Sequence, residues 1–186
     1  MPKDGDIKSG IGASSKRRED VRFLTGNGNY TDDINIRGQA YVFFLRSDVA
    51  HGTLNSVDTS AASAMPGVVQ IFTGADFEAV GGIPCGWEVT DKHGQPMQEP
   101  KHPVLAHGKV RHVGEPIAAV VADSLEQARD AAEAIEVDIS ELPAVINMKD
   151  AFKEGATKVH DDLTSNLCYD WGFVEENKGA VEEAFK

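Results

Sequence analysis

The sequence contains little cysteine and no long hydrophobic run. Its two cysteines, Cys85 and Cys168, lie far apart among 186 residues, so we expect a reduced, cytoplasmic setting without a disulfide. The longest apolar run lies around Ile117–Ala122, far short of the roughly 20 residues that a membrane-spanning helix needs. The first six residues are polar and lead into no apolar stretch, so we expect no signal peptide and no transmembrane segment.

Basic residues are also scarce. There are 18 Lys and Arg against 30 Asp and Glu, which gives a formal net charge of −12. A nucleic-acid-binding surface needs clustered cations, and the one basic cluster, residues 16–18, is followed at once by Glu19 and Asp20. Nucleic acid and anionic membranes are therefore excluded as expected partners. A content of 41% hydrophobic and 26% charged residues is typical of a globular domain.

Periodicity and turn residues predict a fold of the α+β or mixed α/β class, with a mixed sheet and short helices. We expect strands at residues 40–46, 54–58, 68–73, 109–113, 117–123, 135–139 and 167–173. We expect helices from Ser14 or Ser15 to Leu24, from Thr59 or Ser60 to Pro66, after Ser124, at 148–152 and at 179–185. Residues 80–108 show no period and predict a long loop, which is uncommon unless it serves function or an interface.

Residues 109–140 give the clearest pattern, strand–helix–strand. Ser124 predicts a helix cap with Gln127 at the capping-box position. The helix carries an apolar stripe of Leu125, Ala128, Ala131, Ala132 and Ile135. A right-handed parallel crossover is the expected connection between the two strands.

Two short motifs near the N-terminus suggest chemistry that their context does not favour. Gly26-Asn27-Gly28 suggests a phosphate-binding loop, but no Lys-Ser/Thr pair follows, and the motif follows a helix instead of opening one. We interpret this glycine-containing motif as a turn.

Asp32-Asp33 suggests paired carboxylates, but neighbours in a strand point to opposite faces. A solvated or capping role is the expectation.

Histidine and cysteine are the remaining candidates for a site. The six histidines are His51, His93, His102, His107, His112 and His160, and four of them fall between residues 93 and 112, near Cys85. Their spacings of 9, 5 and 5 do not match the usual zinc-ligand pairs. Cys85 as a nucleophile would need a neighbouring base and a lowered pKa, and we interpret it as a loop residue. Cys168 is expected in the core.

Five phrases, in this order, resemble a known family. They are Arg18–Gly26 running into Gly28–Ile34, Arg46-Ser47 followed by Ala50-His51, Pro66–Val68 with Thr73–Asp76, Val110–Ala122, and Leu142–Val145. The resemblance is to the N-terminal a/b hammerhead domain of the large subunit of molybdenum hydroxylases, the xanthine dehydrogenase and aldehyde oxidase family. Within it, the sequence is most similar to the carbon monoxide dehydrogenase large chain.

The resemblance implies how the chain is organised and what accompanies it. Residues 1–13 are expected to form a flexible arm, 14–152 the hammerhead domain, and 153–186 a linker and the truncated start of a molybdenum-binding domain. The full-length chain would be an oxidoreductase holding molybdenum–molybdopterin in the cytosine dinucleotide form, and copper in the carbon monoxide branch. Iron–sulphur clusters and FAD would lie on partner subunits, in an oligomer of heterotrimers.

The resemblance places every catalytic, cofactor-binding and metal-binding residue downstream of this chain. We therefore expect none in residues 1–186, and a structural role for the domain. An aldehyde- or purine-oxidising relative is the alternative substrate class. Two alternatives of another kind stay open: a stand-alone metal- or small-molecule-binding module using Cys85 and the histidines, and an assembly module acting through residues 80–108.

Overall fold

The computed structural model describes residues 10–13, 17–172 and 178–186. Ser14 and Ser15, the predicted helix caps, and Phe173, the predicted end of the last strand, lie outside these ranges. Contacts divide the chain into two units, Met1–Gln39 and Ala40–Lys186. None of the helices in the described ranges is long and apolar enough to cross a membrane.

Among its described residues, the first unit contains one short helix and one 3-10 helix. Helix α1 covers Asp20–Leu24 and is shorter than predicted, because residues 17–19 are not helical. Gly26 follows its end with φ of +73°, a conformation that glycine adopts without strain. The 3-10 helix covers Thr31–Asp33.

Over the part of the second unit that the structure describes, there are two three-stranded sheets, ordered β1-β5-β3 and β4-β2-β6. The strands are β1 Tyr41–Arg46, β2 Gly52–Asp58, β3 Val68–Thr73, β4 Lys109–Val110, β5 Pro116–Ala122 and β6 Glu136–Glu141. The helices are α2 Ser60–Ser63, α3 Leu125–Glu133, α4 Met148–Ala151 and α5 Lys178–Ala184, and a 3-10 helix covers Gly74–Val80. The predicted mixed α/β class with short helices is confirmed.

The predicted parallel crossover is wrong. Strands β5 and β6 lie in different sheets, and every strand pair in the described ranges is antiparallel, so the expected mixed sheet is not found there. Strand β6 pairs with β2 because its apolar residues, Val137 and Ile139, pack beside Leu54 against a core cluster of Ala106, Val110 and Ile117. Helix α3 therefore carries the chain from one sheet to the other.

Helix α3 packs on the β1-β5-β3 sheet through small side chains. Ala128, Ala131 and Ala132 are buried against Ala118 and Val120 of β5, and small residues on both sides let a helix approach a sheet closely. The predicted cap is confirmed, since Ser124 Oγ accepts the N–H of Gln127 at 3.2 Å. Leu125 does not belong to the buried stripe, because it is 41% exposed.

The long loop is ordered and pairs with the C-terminal segment. Residues 89–97 form a small hairpin, with the N–H of Met97 donating to Val89 O at 3.0 Å. The N–H of Gln98 donates to Cys168 O at 2.8 Å. Residues 167–172 follow this loop without forming the predicted strand. Cys168 is consequently exposed, and its predicted core position is wrong.

Candidate functional site

A buried carboxylate organises the turn between β4 and β5. Glu115 is 2% exposed, and its Oε2 accepts the backbone N–H of Arg111. This bond closes the turn and ends β4 at Val110, which explains why the strand stops before the predicted residue 113. Gly114 completes the turn with φ of +86°, a region that favours glycine.

The end of β1 fixes this turn in place. The N–H of Ser47 donates to Glu115 O at 2.9 Å, and the N–H of Gly114 donates to Ser47 O at 2.7 Å. Arg46 Nη1 donates to Gly114 O at 2.9 Å. Two phrases that are 63 or more residues apart, Arg46-Ser47 and Val110–Pro116, therefore form one hydrogen-bonded structure.

His51 and Arg111 carry the two buried side-chain nitrogens without a hydrogen-bond partner in the described ranges. His51 is 4% exposed, and its Nδ1 lies 2.8 Å from Pro143 O. Since a carbonyl only accepts, Nδ1 carries the proton and Nε2 is an acceptor in the neutral ring. The two residues flank the paired positions Gly52 and Val110, which places an acceptor, His51 Nε2, and a donor, Arg111 Nε, at one end of the β2–β4 pair.

The other histidines are spread around this turn and along the long loop. His112 Nδ1 lies 3.9 Å from Glu115 Oε2, and the rings of His102 and His112 stack with centroids 6.5 Å apart. Burial lowers the pKa of His160, and the charge of Arg111 lowers it further. In the ranges that the structure describes, no three His, Cys, Asp or Glu side chains come together as metal ligands.

Both thiols are exposed and donate to backbone carbonyls. Cys85 Sγ donates to Trp87 O at 3.2 Å, and Cys168 Sγ donates to Gln98 O at 3.0 Å. The backbone N–H of Cys85 donates to Glu99 Oε1 at 2.6 Å. These contacts hold the long loop and the C-terminal segment in place, and neither thiol donates to a general base.

The N-terminal motifs have the structural roles that the sequence favours. The N–H of Asn27 donates to Arg22 O at 2.9 Å, so Gly26-Asn27-Gly28 is the turn that ends α1. Asp33 Oδ2 accepts the N–H of Tyr30 at 2.9 Å and caps the 3-10 helix. The capping interpretation of Asp32-Asp33 thus holds for Asp33, within a 3-10 helix and not in a strand.

Residues 25–143 match the family described as aldehyde oxidase and xanthine dehydrogenase, a/b hammerhead domain. The large subunit of nicotine 6-hydroxylase from Paenarthrobacter nicotinovorans is 39% identical over 146 residues, which are 78% of this chain and 17% of that subunit. This chain belongs to the aldehyde oxidase and xanthine dehydrogenase family. It contains the family's a/b hammerhead domain, as the resemblance predicted.

Carbon monoxide dehydrogenases are among the family members similar to this hammerhead chain. The large chain from Afipia carboxidovorans is 35% identical over 159 residues, which cover 85% of this chain and 18% of the relative. The crystal structure of the Cu,Mo-CO dehydrogenase superposes with a TM-score of 0.66 at 33% identity, over 88% of this chain and 19% of that one. The hammerhead chain therefore spans about a fifth of the length of its relatives, and these include molybdenum-containing oxidoreductases.

Sequence reasoning did not single out two polar residues that organise the chain, one within the hammerhead domain and one after it. Glu115 lies between Gly114 and the apolar run Pro116–Ala122, and an acidic residue at the start of a buried strand is a signal for a buried, bonded carboxylate. Asn166 was also missed. Its side chain accepts the N–H of Val159 and donates to the carbonyls of Ala151 and Thr157, and no local pattern announces such a set of contacts.

Proposed function

We propose that this chain is the N-terminal structural domain of the large subunit of a molybdenum hydroxylase of the carbon monoxide dehydrogenase type. In this proposal it contributes no catalytic, cofactor-binding or metal-binding residue. The observation that carries the proposal is the coverage: 85% of this chain corresponds to only 18% of a carbon monoxide dehydrogenase large chain. A domain of this size leaves most of a large subunit to other domains.

The way the polar side chains are used supports a structural role. The Glu115 carboxylate accepts the backbone N–H of Arg111, and the Ser47 hydroxyl donates to Val49 O. Both thiols donate to backbone carbonyls. A catalytic constellation needs a nucleophile or base that is free to meet substrate, whereas these groups are occupied by bonds to the chain's own backbone.

The cofactors belong, in this proposal, to the rest of the complex. Molybdenum–molybdopterin in its cytosine dinucleotide form, and copper in the carbon monoxide branch, would be held by the domains that follow. The molybdenum centre would supply oxidation of the substrate with water as the oxygen source. In this proposal, no molybdenum or copper ligand is assigned to this chain.

The same proposal fixes the boundaries and the partners. Residues 1–13 are an arm, 14–152 the hammerhead domain, and 153–186 a linker leading into a molybdenum-binding domain. The partners are the following domains of the chain, an iron–sulphur subunit and an FAD subunit, assembled as an oligomer of heterotrimers in the cytoplasm. Both curated relatives described above are large subunits, which supports a multi-subunit assembly.

Metal analysis of two purified proteins tests this function. One protein is the 186-residue chain, and the other is the large subunit with the polypeptide encoded downstream of it. Molybdenum is measured in each by mass spectrometry, and turnover is measured with an artificial electron acceptor. We expect molybdenum and turnover only in the longer protein, and neither in the 186-residue chain. Bound molybdopterin or turnover in the 186-residue chain would overturn the structural role.

Hydroxylation of a nitrogen heterocycle is a second candidate, because nicotine 6-hydroxylase is 39% identical and the carbon monoxide dehydrogenase large chain 35%. An aldehyde or a purine remains a further alternative within the family. Copper stoichiometric with molybdenum, together with oxidation of carbon monoxide, selects the first candidate. Oxidation of nicotine or a related heterocycle without copper selects the second.

An assembly role for residues 80–108 is an alternative of a different class. Trp87 in this loop is 80% exposed, and exposed tryptophans are enriched where proteins bind one another. Replacing Trp87→Ala together with deleting the tip of the hairpin, residues 91–95, and measuring subunit association by gel filtration decides it. Unchanged association would remove this alternative.

A further inference from the structure

One face of the β1-β5-β3 sheet is covered by α3, and the opposite face is apolar. Side chains alternate between the two faces of a strand, and Phe43, Leu45, Ala118 and Val120 point into the core beneath α3. The opposite face consists of two cross-strand rows, which we call the outer sheet face: Phe44–Ala119–Phe72 and Val42–Val121–Gln70.

The outer sheet face has the exposure and the shape of a contact surface. Val42 is 48% exposed and Phe44 is 42% exposed. Ala119, by contrast, is only 9% exposed, because it stands between the rings of Phe44 and Phe72 in its row. An apolar side chain placed over this small residue would contact the Phe side chains on either side of it in the row.

The pattern of β5 points to a second covering layer. Every residue from Ile117 to Ala122 is apolar, and a continuous apolar strand is typical of sheets covered on both faces. Strand β6 shows the contrast, because its half-buried Val137 and Ile139 alternate with exposed Glu136 and Asp138. In the described ranges, α3 covers one face of β5, and the cluster of Ala106 and Val110 covers Ile117 at the start of the other face. A covering layer is therefore still needed over Ala119 and Val121.

We propose that the outer sheet face is where the polypeptide that follows this domain in the large subunit packs, with an apolar side chain inserted over Ala119. The inference rests on the proposed function. This chain spans 17% of the nicotine 6-hydroxylase large subunit and 18% of the carbon monoxide dehydrogenase large chain. Several times its own length of polypeptide is therefore available in such subunits to cover the face.

Charge and solubility distinguish this occupant from others. Each copy of the chain carries a formal charge of −12, which opposes packing of two copies against each other. The six residues of the outer sheet face carry no charge, although the guanidinium carbon of Arg46 lies 5.6 Å from the centre of the Phe44 ring at its edge. A largely apolar face left open until a separate subunit arrives promotes aggregation. A covalently attached polypeptide covers it from the time of folding.

Thiol labelling measures whether the face is covered. In a Cys85→Ser/Cys168→Ser background, Phe44→Cys is reacted with a maleimide in the 186-residue chain and in the large subunit that includes the downstream polypeptide. We expect labelling to be at least about tenfold slower in the longer protein, because a packed thiol reacts only when the contact opens. Asp130→Cys, on the exposed face of α3 beside Glu126 and Glu133, is the matched control and should react equally in both.

Each other occupant gives a different result. Equal labelling of Phe44→Cys in the two proteins overturns the inference. Protection of Phe44→Cys that grows with the concentration of the 186-residue chain indicates a second copy and also overturns the inference. Protection that requires the iron–sulphur or FAD subunit overturns it as well. Val42→Cys repeats the measurement in case Phe44→Cys disturbs folding.

The labelling result separates this inference from the function on which it rests. A longer protein that protects Phe44→Cys but contains no molybdenum keeps the packing surface and refutes the proposed function. A longer protein that contains molybdenum but leaves Phe44→Cys reactive refutes only the packing surface.

Discussion

The carboxylate of Glu115 accepts the backbone N–H of Arg111, four residues earlier in the chain, and the Glu115 side chain is only 3% exposed. The bond closes the turn from which β5 starts, and β5 is the central strand of its sheet. The same residue's carbonyl accepts the N–H of Ser47. Through its side chain and its carbonyl together, Glu115 therefore joins the turn, the end of β1 and the central strand of the sheet.

Replacing Glu115 tests this arrangement. Glu115→Ala leaves the Arg111 N–H without its acceptor and opens a cavity, so we expect a loss of about 2–4 kcal/mol in the free energy of unfolding. Glu115→Gln keeps an acceptor oxygen and should lose less than half as much. Urea unfolding of the 186-residue chain gives both values. The exposed Glu154→Ala is the control, and a loss there equal to that of Glu115→Ala would contradict the assignment.

Asn166 should control the order of residues 157–166. Asn166→Asp keeps the oxygen that accepts the N–H of Val159 at 2.9 Å, but it replaces the donor with a carboxylate oxygen facing the carbonyls of Ala151 and Thr157. We expect this segment to open locally while the sheets stay folded. Hydrogen exchange at the Val159 amide should accelerate, with the amides of β5 unchanged.

Asn55→Asp is the matched control for this change. Asn55 Nδ2 donates to the hydroxyl of Ser140 at 2.8 Å, and a hydroxyl can rotate to donate to a carboxylate instead. Exchange at Val159 should therefore remain as in the parent chain. Equal acceleration in the two variants would show that the loss is not specific to Asn166.

The elements of the sheets could be predicted from the sequence, but their partners could not. Strands β1 and β3 were predicted within one residue, since β-branched and aromatic residues mark them. The connection from β5 through α3 to β6 was predicted as a parallel crossover, the usual result of strand–helix–strand. Nothing local in β6 shows that Val137 and Ile139 will pair with β2, which lies some 80 residues earlier.

Prediction of the candidate site from the sequence is limited in the same way. The resemblance motifs contain Glu115, Ser47 and His51, but their hydrogen bonds join residues that are far apart in the chain. Cys168 was expected in a core strand because Leu167, Tyr169 and Trp171 surround it. Tertiary contact with the long loop decides otherwise, since Gln98 bonds to the carbonyls of both Leu167 and Cys168.

The low pKa of His160 predicts how stability depends on pH. Burial of the ring, followed by the charge of Arg111, lowers the pKa of His160 in the folded chain. The unfolded chain then binds more protons near the ordinary histidine pKa of about 6.5, so stability is complete above that pH and declines as the pH falls through it toward the lowered value. The lowered pKa of Asp161, which arises from its hydrogen bond to Lys109, acts only in a more acidic range.

Unfolding measured between neutral and mildly acidic pH checks this dependence. His160→Gln should reduce the loss of folding stability below about pH 6.5, because the neutral amide does not take up a proton on unfolding. His93→Gln, in the exposed hairpin, should leave the decline as it is. If His160→Gln retains the full decline, another group is responsible.

Gly74 should tolerate no side chain, because it starts the 3-10 helix where that helix meets the long loop. A Cβ built at Gly74 would collide with the carbonyl of Ala106 and lie 2.9 Å from Cβ of His107. The obstacle is backbone next to the buried Val110 cluster, so it does not yield as a flexible side chain would. We expect Gly74→Ala to cost about 2–4 kcal/mol in urea unfolding, as overpacked sites do. Gly86→Ala, where nothing lies within 4 Å of the added Cβ, should change stability by less than about 1 kcal/mol, and a comparable loss at Gly86 would refute the steric explanation.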